Sequence, residues 1–215
     1  MSEQPTSVKG PDQVEAGGKY RALAPSYDRL APLTARMRRL AVKRAELSRG
    51  NAVLDVGCGT GLSFPLIQDR IGPEGKIVGV DLSGEMLAVA RERVERAGWS
   101  NVTLIEASAE DAQVPLDVDA LVSVLTHDVM RSRRALENVV GRVAPGGHIA
   151  VTGAKWAPRW ALPVNAVVWL IARRYVTTLE GFDRPWSILE ELVPSLSVRS
   201  LLLGGAYVAA GRVPA

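Results

Sequence analysis

The chain has 215 residues, 47% hydrophobic and 23% charged, which suits one globular α/β domain and excludes a disordered polyelectrolyte. A formal charge of +3 and a pI of about 9.2 leave anionic partners open without marking a nucleic-acid binder. The lone cysteine, Cys58, excludes an internal disulfide, and with only two separated histidines, His127 and His148, no residue set suggests a metal site.

Residues 1–18 are rich in Pro, Gly, Ser and Gln and hold no apolar stretch, so they read as a disordered tail rather than a signal peptide. The longest uncharged run, Trp160 to Ala172, is shorter than the roughly 20 residues that span a bilayer. A cytoplasmic protein is expected. Between Tyr20 and Leu47 lies a helical region interrupted by Pro25 and Pro32. After Pro32, Leu33, Met37, Leu40, Ala41 and Leu47 keep roughly helical spacing, and Arg36, Arg38, Arg39, Lys43 and Arg44 form the opposite, basic face.

The apolar run Val53-Leu54-Asp55-Val56 then breaks into Gly57-Cys58-Gly59-Thr60-Gly61. A buried strand ending in alternate glycines removes side chains where a cofactor would press against the backbone. The spacing departs from the dinucleotide pattern G-x-G-x-x-G, because position 62 is Leu62. Asp55 would also repel a diphosphate, whereas a ligand carrying an ammonium and a sulfonium is compatible with it. This stretch closely resembles the glycine-rich motif of class I S-adenosylmethionine (SAM)-dependent methyltransferases. The segment Tyr20-Arg21-Ala22-Leu23-Ala24-Pro25-Ser26-Tyr27-Asp28 likewise resembles the cofactor-covering segment of ubiquinone/menaquinone-type C-methyltransferases. The resemblance implies cofactor contacts from Asp55, Gly57, Cys58, Gly59 and Gly61, and it makes Tyr20 and Tyr27 contacts or packing residues. For Cys58, space between two glycines explains the residue without nucleophilic chemistry.

A crossover helix from Leu62 to about Ile71 ends at Gly72-Pro73-Glu74-Gly75. The strand Ile77-Val78-Gly79-Val80 then delivers Asp81, where a carboxylate would accept from both ribose hydroxyls. Leu82 and Met86 would pack on the adenine. The helix Ser83 to about Ala97 leads to a third strand, Val102–Ile105. In the family an acid often stands where Ser108 is, accepting from the adenine amino group. Here Ser108, Ala109 and Glu110 are the candidates.

The fourth strand, Asp119–Val124, ends at Leu125-Thr126-His127-Asp128, the edge that faces the transferred methyl group in this architecture. The acid-or-Asn, Pro-Pro-aromatic motif of DNA amino-methyltransferases is absent, so no nucleic-acid acceptor is expected. Leu125 is a cofactor candidate. His127 can serve as a proton acceptor, as a lining residue or as packing. Asp128 can orient it, bind an amine or serve only at the surface. A helix from Arg134 to about Val143, the Pro145-Gly146-Gly147 turn and a fifth strand, His148–Thr152, follow.

Four of the five tryptophans, Trp156, Trp160, Trp169 and Trp186, fall after residue 153. Trp160–Ala172 is apolar on nearly all sides and suits a core helix, an acceptor lid or a membrane-surface contact. A short helix near Ser187–Val193 and two strands near Val198–Leu203 and Ala206–Ala210 close the chain. Gly204-Gly205 is too short for a helical crossover, so these strands form an antiparallel hairpin.

The expected fold is therefore α/β: a doubly wound, Rossmann-like, seven-stranded, mostly parallel sheet with a reversed C-terminal strand. A methyltransferase domain would occupy 19–215, with cap helices at 19–48 and an acceptor insert at 155–185. The resemblance implies methyl transfer from SAM to a small lipophilic acceptor, such as a quinone, lipid or secondary metabolite. The alternatives are a SAM-binding protein with non-methylating chemistry and a binding scaffold. A short-chain dehydrogenase is disfavoured, because the residues four after Tyr20, Tyr27, Tyr175 and Tyr207 are Ala24, Ala31, Leu179 and Gly211, none of them lysine.

Overall fold

The computed structural model describes Asp28 and residues 31–214. The apolar runs pair as a seven-stranded sheet of order β3-β2-β1-β4-β5-β7-β6. Its strands are β1 (Ala52–Val56), β2 (Lys76–Asp81), β3 (Val102–Glu106), β4 (Val118–Val124), β5 (Val143–Ala154), β6 (Ser197–Leu201) and β7 (Ala206–Arg212). The first five are parallel, and β7 runs antiparallel between β5 and β6. The doubly wound sheet with its reversed strand is thus as the sequence leads one to expect.

Successive residues of the central strands feed two separate apolar layers, which is why these strands lack polar alternation. Val53, Ile77, Ala120 and Ala150 meet α1 (Ala31–Arg44), α2 (Phe64–Ile71) and α3 (Gly84–Ala97) on one face. Leu54, Val78, Leu121 and Ile149 meet Met130 of α4 (His127–Met130), Leu136 and Val139 of α5 (Arg133–Val140), and Leu189 of α7 (Ser187–Leu192) on the other. Side-chain caps start two helices: Ser83 Oγ accepts from the Met86 amide and Ser132 Oγ from the Ala135 amide, each at 3.2 Å.

Pro32 sits in the opening turn of α1, where its missing N–H costs nothing, and the expected helical region before it lies mostly outside the described residues. Three local expectations change. Arg38 leaves the solvated basic face: it is buried, and Nη1 donates to Thr34 Oγ1 at 2.6 Å. The Pro145-Gly146-Gly147 turn is a bulge inside β5, where the register passes from Val118↔Val143 to Ala120↔His148. A Cβ on Gly147 would stand 2.8 Å from the carbonyls of Ala144 and Asp119. Finally, β6 stops at Leu201, and Leu202–Gly204 form a tight 3-10 turn with Leu202 and Leu203 at φ 49° and 54°.

The Trp-rich stretch becomes α6 (Leu162–Tyr175). It is no plain core helix. Val164 and Val168 pack toward Gly205 and Ala172 is buried, while Leu162, Val167, Leu170 and Ile171 on its other side are at least half exposed.

Candidate functional site

The glycine loop hooks over the carboxyl end of β2, because the amides of Gly57 and Cys58 both donate to the Val80 carbonyl, at 2.8 and 3.0 Å. Asp81 completes the hook. Its Oδ2 accepts from the Gly59 amide at 2.8 Å and its Oδ1 from the Ser83 amide at 2.9 Å. Desolvation raises its pKa above the ordinary value, although the amides of Ser83 and Gly59 pull it back. The residue as a whole remains partly exposed.

Gly57, Gly59 and Gly61 adopt φ of 66°, 56° and 73°, which L side chains rarely take. Their surroundings differ. A Cβ on Gly57 would collide with Thr126 Cγ2, and one on Gly61 would stand 2.7 Å from the Phe64 ring. Gly59 alone of the three faces open space. At Gly57 and Gly61 the missing side chain thus also makes room for the protein's own packing.

Asp55, at the heart of β1, is 1% exposed, and its Oδ2 finds no hydrogen-bond partner among the described residues. Burial first, then the neighbouring Asp81 carboxylate, push its pKa up to about 8, against the opposing pull of Arg38 and the Ser63 hydroxyl. An unpartnered buried acceptor beside an open loop fits a cationic donor and disfavours a diphosphate. Cys58 is buried, and burial pushes its thiol well above the usual value, which argues against a nucleophilic role.

On the adenine side, Leu82 is 37% exposed whereas Met86 is buried, so Leu82 offers the apolar surface. Ser108 is engaged with Asp111: its hydroxyl donates to Oδ2 at 2.9 Å and accepts from the amide at 3.2 Å. Glu110 accepts from the Ser132 hydroxyl at 2.6 Å, and the Ala109 carbonyl accepts from Asn138 at 3.0 Å. These contacts hold the loop after β3 in place. Tyr20 and Tyr27 lie outside the described residues. Their neighbour Asp28 accepts from Thr60 Oγ1 and from Arg93 Nη2, both at 2.6 Å, and Arg93 Nε donates to the Thr60 carbonyl at 2.9 Å. Asp28 is thereby fastened to the glycine loop.

At the end of β4, Leu125 has φ 62°, a strained value for leucine, and its amide donates to the Thr152 carbonyl at 2.7 Å. The turn delivers His127, which is 7% exposed, its ring nitrogens without a hydrogen-bond partner among the described residues. Desolvation, aided by Arg131, lowers its pKa to about 4; the nearby Glu180 backbone opposes this weakly. The imidazole is neutral at neutral pH. Its ring stacks at 4.6 Å on Phe182, which meets Trp156 at 5.1 Å. Of the roles open to Asp128, orienting His127 is not taken up among the described residues. Asp128 accepts instead from the Thr177 hydroxyl at 3.0 Å and so ties α4 to the end of the insert.

Sequence reasoning passed over Asp28 as a latch, and Arg38, Arg93, Thr126 and Phe182 as site residues. Phe182 alone left a compositional trace, as one of only two phenylalanines. A groove of about 370 Å³ lined by Pro73, Lys76, Asn101 and Thr103 lies at the amino ends of β2 and β3, the edge opposite the glycine loop.

Comparison with known proteins accords with this geometry. Residues 53–147 match a family described as "Methyltransferase domain". The demethylmenaquinone methyltransferase of Listeria welshimeri is 32% identical over 174 residues, covering 75% of this chain and 70% of the relative. A SAM-dependent methyltransferase from Aquifex aeolicus superposes with a TM-score of 0.65 at 22% identity, over 90% of this chain and 98% of that one. The N-methyltransferase NodS of Bradyrhizobium japonicum, crystallised with S-adenosyl-L-homocysteine, gives 0.69 at 17% identity, over 93% and 99%.

Proposed function

The chain belongs to the class I SAM-dependent methyltransferases, and from that premise we propose that it methylates a lipophilic, ring-bearing small molecule of the quinone type. The observation that carries this reading is the aromatic cluster beside the carboxyl ends of β4 and β5, in which the buried rings of His127 and Phe182 back the partly exposed Trp156. A flat apolar acceptor would be held there by area and ring stacking. The demethylmenaquinone activity of the Listeria relative supports the same class.

The cofactor is SAM, and the residues present fit it. When bound, it supplies a methyl group made electrophilic by a sulfonium. In this proposal Asp55 receives the ammonium, the Gly59 backbone lies along the methionine portion, Asp81 holds the ribose, and Leu82 lies against the adenine. Leu125 and Thr126 form the floor between the two halves. The protein's task is then to align the acceptor and exclude water. His127, neutral and buried, would line the acceptor site and orient a hydroxyl through a ring nitrogen; with a pKa lowered to about 4 it is a weak base, so proton removal by it is the less favoured role.

The proposal divides the chain into a methyltransferase domain over 19–215 with an acceptor insert at 155–185. It places the enzyme in the cytoplasm, in keeping with its lone reduced cysteine, and at the membrane periphery.

The test is turnover. Purified protein with SAM and a demethylated quinone should give a methylated product by mass spectrometry, and Trp156→Ala should raise KM several-fold. Consumption of the acceptor without added methyl mass would point to non-methylating chemistry, and no reaction with quinones would overturn the acceptor class.

A further inference from the structure

The outer side of α6 has no partner within the described structure. Leu162, Val167, Leu170 and Ile171 are 50–70% exposed along a helix of 14 residues. Asn165 anchors the inner side, its amide group bonded to the Ala157 N–H at 2.8 Å and to the Ala157 carbonyl at 3.1 Å. An inward-facing asparagine and outward-facing leucines invert the pattern of an ordinary surface helix. No helix among the described residues is long and apolar enough to cross a membrane, so this face is suited to lie along a surface.

A second element carries the same feature. The tip between β6 and β7 holds Leu202 and Leu203 with positive φ, exposed by 57% and 69%. Left-handed backbone disfavours leucine, and solvent exposure gives it nothing in return. The two elements are adjacent: Gly205 abuts Val164 and Val168, and Gly204 abuts Pro158. Trp160, 73% exposed, and Trp169, 47% exposed, flank the face with rings suited to the polar boundary of a bilayer.

Charge decides among the possible occupants. No Asp or Glu occurs from Lys155 to Leu179 or from Ser195 to Arg212, whereas Arg159, Arg173 and Arg199 are exposed there. Arg173 stacks on Trp169, its guanidinium carbon 4.6 Å from the ring centroid, which leaves its charge at the rim. A second copy would set these cations against each other. An anionic lipid surface complements them.

We propose that the outer face of α6 and the Leu202–Leu203 tip dock together on an anionic bilayer, with α6 in the interfacial plane. The inference deepens the lipophilic-acceptor reading, since it would seat the insert where such acceptors reside; the surface itself can be tested without any acceptor. Full-length protein is mixed with phosphatidylcholine vesicles containing about one third phosphatidylglycerol, and with pure phosphatidylcholine vesicles. Sedimentation with the anionic vesicles and a blue shift of tryptophan emission are expected. The double variant Leu202→Gly/Leu203→Gly, which relieves the backbone, and separately Ile171→Glu should each lower partitioning by about tenfold or more. Their SAM affinity, read by calorimetry, should stay unchanged and so report an intact fold. Absence of partitioning, partitioning unaltered in both variants, or a solution dimer that Ile171→Glu dissociates would each overturn the proposal. Vesicle binding without quinone methylation would instead count against the acceptor reading alone.

Discussion

The carboxylate of Asp81 accepts a hydrogen bond from the backbone of Gly59 at 2.8 Å, so the residue assigned to the ribose also fixes the loop beside it. Asp81→Ala should therefore weaken SAM binding by about 1–3 kcal/mol through lost charge-assisted bonds. It should also speed hydrogen exchange at the Gly59 amide. Calorimetry gives the first and exchange mass spectrometry the second. Unchanged affinity would remove Asp81 from the cofactor site.

Gly57 and Gly59 should respond differently to the same added methyl. Gly59→Ala meets open space, so the expected cost to the fold is about 1–2 kcal/mol of left-handed backbone strain. Its SAM affinity should fall at least about tenfold, because the methyl stands where the proposed ligand lies. Gly57→Ala adds a collision with Thr126 Cγ2 and should lower Tm further. Thr126→Ser removes that carbon and should restore part of the loss in the double variant. Additive Tm changes would show that the two positions are not in contact.

Asp55 links cofactor binding to protons. Its folded pKa of about 8 stands above its ordinary 3.8, so the native chain retains a proton that the unfolded chain releases. This contribution to stability is complete below the ordinary value and is lost as the pH rises through about 8. Asp55→Asn should flatten that part of the stability profile, measured by denaturant unfolding. An ammonium arriving at Asp55 favours the charged carboxylate. SAM binding at neutral pH should thus release a fraction of a proton, seen as a binding heat that varies with the buffer's ionisation enthalpy. A buffer-independent heat would separate Asp55 from the ammonium.

His127 titrates in the other direction. Its folded pKa, lowered from 6.5 to about 4, means that the unfolded chain binds a proton first, so native stability falls as the pH drops through that interval. His127→Phe keeps a ring against Phe182 and should remove this acid loss. If the imidazole accepts the acceptor's proton, the same variant should lower kcat by about a hundredfold or more at constant SAM affinity. An unchanged kcat would leave His127 as a lining residue.

The sheet was legible in the sequence because the central strands are largely apolar on consecutive residues and most of the turns between elements carry Gly or Pro. The glycine loop and Asp81 were legible for the same reason: the motif is local and its spacing is fixed by backbone geometry. The remaining parts of the site depend on long-range contacts. Nothing near Arg38 in the chain shows that it will be buried in the vicinity of Asp55, since helical spacing alone puts it with the solvated arginines. Asp28 and Arg93 are 65 residues apart and meet only because both reach the back of the loop. The exposed side of α6 was ambiguous in principle. An all-apolar helix has no polar stripe to say which way it turns, and Asn165, the one polar residue in its apolar span, points inward.

The position of β7 also bears on how the chain acquires its structure. The strands β1 to β5 can pair as they are synthesised, each newly made strand finding an earlier neighbour. β6 cannot, because its hydrogen-bonding partner is β7, which follows it and is wedged between β6 and β5. Until Ala206–Arg212 inserts, β5 and β6 both present bare edges, and the carboxyl end of β5 carries half of the proposed acceptor wall. Completion of the proposed acceptor side is therefore tied to β7. A nascent or truncated polypeptide lacking it would have a cofactor loop yet would be prone to edge-to-edge association before it could bind an acceptor.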